Sequence, residues 1–119
     1  LHLLSRRQRQ MCIRDSPQGT LNMTLVMLCI TRLALPKVLL PSTTALGTIS
    51  PTGREDGLRC GANVVMPNLS PIGVRRDYSL YDGKICMGDE AAECIKCLGA
   101  RVETVGCRLD FSRGDSPLI

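Results

Sequence analysis

The sequence predicts an α/β fold built on parallel strand pairing, and three observations predict it. Two short apolar segments, VLLPSTTAL at 38–46 and ANVVMP at 62–67, flank the stretch GREDGLRC, which reads as a short helix. Strand, helix and strand within ~30 residues form a βαβ unit, whose parallel pairing and right-handed crossover are nearly obligatory. A long apolar segment precedes this unit, and a helix with an acidic start and a glycine stop follows it.

Each element has a local reason. From Gly19 to Leu35 apolar residues fall almost all the way round a helix, so that helix must be covered on most sides. Pro36 ends it, because the pyrrolidine ring bars continuation. The first strand, 38–46, contains Pro41, where regular pairing has to break or run along an edge. Pro51 to Cys60 opens on a Pro-Thr-Gly turn and continues as a helix with acidic residues near its start, where the helix dipole favours them. Residues 62–67 read as a strand of the fully buried kind. Both strands end in polar or unusual residues, Thr43 and Thr44 on one and Met66 and Asn68 on the other, and in parallel barrels strand ends carry the chemistry. A loop with Pro71 and Gly73 follows, then RRDYSLYDGKIC with its Asp82-Gly83 turn signal. The last helix is expected over Asp89–Val105, with Asp89, Glu90 and Glu93 in its first turns, Arg101 nearer its end and Gly106 as its stop.

Composition sets bounds on function. The 119 residues suit one small domain; 44% are hydrophobic, but only 3% are aromatic and there is no Trp, so a self-contained core is not assured. The net charge of +4 divides unevenly: residues 1–16 carry four Arg against Asp15, and the rest carries eleven basic and ten acidic residues. Without a clustered basic face or stacking aromatics, a nucleic-acid partner is not expected. Arg32, Pro36 and Lys37 interrupt 21–40 before a membrane span accumulates, so no membrane association is expected either. The seven Cys are odd in number and no secretion signal is convincing, which points to a reducing, cytoplasmic setting. His2 is the sole histidine, so Ser/His, Cys/His and His-metal chemistry is nearly excluded from the body of the chain.

Three parts are delimited. Residues 6–15 fit no structural pattern, and Met11 to Asp15 is what a sequencing adapter read as coding DNA would give, so residues 1–16 are read as an adapter-derived or disordered leader. Residues 17–106 form the body, and 107–119 a polar tail.

The sharpest chemical signal is Cys86, Cys94 and Cys97 in KICMGDEAAECIKC, a C-x7-C-x2-C pattern whose last two members lie one helical turn apart. Their thiolates suit an iron–sulfur cluster or zinc, and three reduced surface thiols are the plain alternative. A four-sulfur site needs one more ligand, and Cys107 lies ten residues past Cys97. Other candidates have ordinary readings: β-branched Thr43 and Thr44 suit strands, Met66 suits a core, and Tyr78 and Tyr81 suit amphipathic packing. Arg54 and Glu55 read as the start of a solvated helix, and Cys29, Cys60 and Cys107 as buried or incidental thiols.

The order TTALGT, ANVVMPN, YSLYDGKIC and the cysteine pattern resembles the C-terminal third of HydE-type iron-iron hydrogenase maturases, radical S-adenosylmethionine enzymes related to biotin synthase. The resemblance implies the end of a (β/α)8 TIM barrel: helix 6, strand 7, helix 7, strand 8 and a capping helix. It places Thr43, Thr44 and Tyr81 at the substrate cavity, Met66 and Tyr78 near the S-adenosylmethionine site, and Cys86, Cys94 and Cys97 on an auxiliary cluster, usually 2Fe-2S, that not every family member carries. The family's 4Fe-4S cluster is held by a C-x3-C-x2-C loop that these 119 residues do not contain, so no catalytic residue is assigned and the chain is expected to be inactive alone. The implied substrate is a small iron–cysteine complex used in assembling the hydrogenase diiron cluster, and the implied partners are maturation proteins of the HydG and HydF types. Two alternatives stand beside this reading: a biotin-synthase-like radical enzyme, and a small zinc or iron–sulfur binding module without catalysis.

Overall fold

The computed structural model describes residues 20–78, 85, 88 and 91–115. Helix α1 spans Leu21–Ala34, strand β1 Pro41–Ser42, α2 Thr44–Ile49, α3 Gly53–Arg59, β2 Val64–Val65 and α4 Ala91–Glu103, with a 3-10 helix over Ile72–Tyr78. The two strands pair in parallel, Pro41 opposite Val64 and Ser42 opposite Val65. The expected strand–helix–strand unit is therefore present as a small two-stranded sheet in a mostly helical chain.

Helix α1 starts where Thr20 caps it, the hydroxyl accepting from the Met23 amide at 3.2 Å. It ends just before Pro36, as the ring geometry requires. The expectation that it is covered on most sides does not hold. Met23, Val26, Met27, Ile30 and Leu33 recur every three or four residues on one face, and all are exposed. The helix is held instead through Arg32, whose Nε donates to Gly61 O at 2.8 Å and whose Nη1 donates to Pro36 O at 2.6 Å.

The strand expected over 38–46 shrinks to two residues, and Thr44–Ile49 is helical. Thr43 takes an extended conformation at the N-cap, so the two threonines expected at a strand end start a helix instead. Tertiary context overrides their β preference because this turn carries Leu46, one of the buried apolar residues, into the core. Strand β2 is likewise only half-buried rather than fully enclosed.

Helix α3 lies directly on β1. A Cβ at Gly57 would stand 2.7 Å from Ser42 Oγ, so only glycine permits this approach. The contact is locked by the buried Ser42 hydroxyl, which donates to Arg54 O at 2.8 Å. The helix ends in a paired turn, Gly61 N to Leu58 O and Ala62 N to Gly57 O, each 3.0 Å, with Gly61 at φ +101°. Chain entry into β2 is then fixed by Asn63, whose side chain accepts from the Leu40 amide at 2.8 Å.

Helix α4 turns a stripe of Cys94, Leu98 and Val102 inward, spaced four residues apart, and these three join Leu46 and Ala62 as the buried apolar core among the described residues. Gly106, at φ +75°, terminates the helix as expected: its amide bonds to Glu103 O at 3.0 Å and that of Cys107 to Val102 O at 3.3 Å.

Candidate functional site

A cavity of about 400 Å³ opens between α4 and the α2–α3 segment. Cys94, Cys97 and Arg101 of α4 line one wall, and Gly47 and Arg54 line the other. The helical repeat explains the first wall: Cys94 and Cys97 are one turn apart, and Arg101 lies one turn beyond Cys97. Gly47, the glycine of TTALGT, explains the second. A Cβ there would meet Ile85 Cδ1 at 2.7 Å and Arg54 Nε at 3.0 Å, so the missing side chain keeps that wall open.

The two thiols differ. Cys94 is 2% exposed, and its sulfur accepts the Asn68 amide at 3.4 Å, which ties the residues after β2 to α4. Cys97 is exposed at the cavity rim. The loop after Asn68 is held in turn by buried Arg75, whose Nε donates to Ser70 O at 2.7 Å and Nη2 to Asn68 O at 3.3 Å.

Arg54 and Glu55 overturn the expectation of a solvated helix start: they are 4% and 8% exposed. Glu55 receives Arg101 Nε at 2.6 Å and Nη2 at 2.9 Å, a two-pronged ion pair joining α3 to α4, and Arg101 Nη2 also donates to Pro51 O. Burial by itself would raise the Glu55 carboxyl. Its bond to Arg101, its backbone hydrogen bond and the charges of Arg101 and Arg54 outweigh burial and hold it below the usual carboxylate value. One signal in the sequence foreshadows this: Gly53 and Gly57, one turn apart, form a side-chain-free face that draws α3 close to its neighbours.

The remaining sequence candidates are spread out. Thr43 and Thr44 are half-buried at the start of α2 and do not line this cavity. Met66, just past β2, is 51% exposed rather than core. Tyr78 closes the 3-10 helix, while Tyr81 and Cys86 lie outside the described residues. Among the described residues no group of three or more metal-ligating side chains assembles. Two thiols on one cavity wall, one of them accepting an amide hydrogen bond, nevertheless form a donor set of the soft kind that iron–sulfur clusters and zinc use.

Fold and site together define an α/β segment: a parallel strand–helix–strand unit closed by a helix that presents paired thiols to a cavity. No protein-family model matches the chain. Over 94 residues, 79% of its length, it is 46% identical to the [FeFe] hydrogenase maturase subunit HydE of Thermotoga maritima, and it is similar to a C-terminal part of that protein. The chain spans only about a quarter of that relative's length, 27%. Among the described residues no helix is long and apolar enough to cross a membrane.

Proposed function

We propose that this chain is the closing segment of a HydE-type radical S-adenosylmethionine maturase that acts in assembling the hydrogenase diiron cluster. The 46% identity to HydE carries the reading, and the exposed apolar stripe of α1 supports its barrel form. Such a stripe is what a barrel helix presents to its neighbours, and the unextended parallel pair is what a closed sheet continues. In this reading residues 17–106 complete a (β/α)8 barrel in the cytoplasm. Thr43, Thr44 and Tyr81 face a small iron–cysteine substrate, and Met66 and Tyr78 approach S-adenosylmethionine. The 4Fe-4S cluster belongs to the whole protein, and HydG- and HydF-type proteins are its partners.

Cys94 and Cys97, with Cys86, would hold an auxiliary 2Fe-2S cluster. When bound, it would supply a one-electron centre beside the barrel. The chain's own contribution is positional. Helix α4 sets the two sulfurs one turn apart, Asn68 donates to one of them, and Gly47 keeps the facing wall free.

Anaerobic reconstitution of the chain with ferrous iron and sulfide tests the site. Iron and acid-labile sulfide should bind with visible charge-transfer absorption, be lost in Cys86→Ser, Cys94→Ser and Cys97→Ser, and persist in Cys107→Ser. Equal iron uptake by all four variants would refute the assignment.

A further inference from the structure

Two thiols lie apart from the cavity. Cys29 lies in the middle of α1 and Cys60 caps α3, and both are half-buried free thiols. Separate contacts bring them to one place. Cys29 and Arg32 are three residues apart and share a helix face. Arg32 Nε donates at 2.8 Å to the carbonyl of Gly61, the residue after Cys60. A Cβ on Gly61 would stand 2.7 Å from Arg32 Cγ, so the backbone beside Cys60 touches α1 directly. The Cys29 thiol is near enough to that of Cys60 to help push the latter up.

We propose that Cys29 and Cys60 are a disulfide-forming pair that staples α1 to the end of α3 in the presence of a disulfide donor such as oxidised glutathione. One protein thiolate attacks a donor sulfur, breaking the donor S–S bond and releasing one reduced glutathione. The second protein thiolate then attacks the mixed disulfide and releases the other. The two protein thiols lose two electrons and two protons, and the donor disulfide is reduced to two thiols. Burial, the neighbouring Cys29 thiol and the charge of Asp56 push the Cys60 thiol up, so its thiolate is scarce at neutral pH and the staple closes faster as pH rises. The closed loop takes in β1, α2 and α3, and it secures α1, whose apolar stripe is otherwise exposed.

Tryptic mapping of the intact chain after exposure to oxidised glutathione tests this, with and without urea. The expected product joins peptides 15–32 and 60–75 and is two hydrogens lighter than their sum. Folding holds the two thiols at a high effective concentration, so this linkage should exceed its yield in urea by roughly tenfold. It should vanish in Cys29→Ser and in Cys60→Ser, and persist when Cys94 and Cys97 are both replaced by Ser. A yield no greater than in urea, or equal linkage of Cys29 to Cys94, Cys97 and Cys107, overturns the proposal. Because the map is read on the wild-type chain, it remains decisive even where a serine variant fails to fold, and it does not depend on the proposed function.

Discussion

Replacing Glu55 with Gln removes the carboxylate that fastens Arg101 across the α3–α4 junction. In the wild type the Glu55 side chain is 11% exposed and that of Arg101 32%, with both prongs of the guanidinium engaged. An exposed ion pair contributes about 0.2–1 kcal/mol, whereas breaking a fully buried one costs about 3–5 kcal/mol. One nearly buried partner facing one partly wet partner puts the loss between these limits, at about 2 kcal/mol. With a urea slope of about 1 kcal/mol/M for a chain of this size, the unfolding midpoint by circular dichroism should fall by about 2 M at neutral pH. The pH dependence gives a second handle. Folding favours the charged form of Glu55, so its contribution is complete above the unfolded carboxylate's value, about 4.3, and is lost as pH falls through the lower folded value. The midpoints of wild type and Glu55→Gln should therefore converge as the solution is acidified. The same substitution made in an Arg101→Met background should cost little. An unchanged midpoint at neutral pH, or a gap that persists undiminished in acid, would refute the account of this pair.

Three further outcomes follow from the packing. Leu98→Ala empties a site that is 3% exposed in the core and should cost about 2–5 kcal/mol, read as a lowered urea midpoint. Gly57→Val places a side chain against Ser42 Oγ and Leu46, prising α3 from β1 at a cost of about 1–3 kcal/mol; the Val64 amide, which bonds to Leu40 O at 3.0 Å across the strand pair, should then lose hydrogen-exchange protection. Gly61→Ala combines a positive φ with a clash against Arg32 and should cost at least about 1 kcal/mol, and faster proteolysis within α1 would report the loosened Arg32 contact.

What is legible in the sequence and what is not divides by the range of the forces. Pro36 and Gly106 act on the backbone within a turn, and both end their helices where the sequence places the stops. The parallel strand–helix–strand unit is readable because a helix-bearing connection, far longer than a hairpin turn, joins its strands and must cross over. TTAL reads as strand from its β-branched residues, yet Thr43 caps a helix that runs on from Thr44, because seating Leu46 in the core outweighs a propensity difference of at most ~1 kcal/mol. Arg54 and Glu55 read as solvated for a related reason. Charge alone predicts exposure, but burial depends on what lies across the gap, and that is fixed only once Gly57 lets α3 settle onto Ser42 and Arg101 arrives from α4.

The order of residues is thus enough to say where helices stop, which strands run parallel, and which two thiols stand a turn apart on α4. Packing is what selects the charges to be buried and sets Gly47 and Arg54 across a cavity from those thiols. A residue's own chemistry reaches only its chain neighbours, whereas burial and enclosure belong to pairs of surfaces brought together from distant parts of the chain.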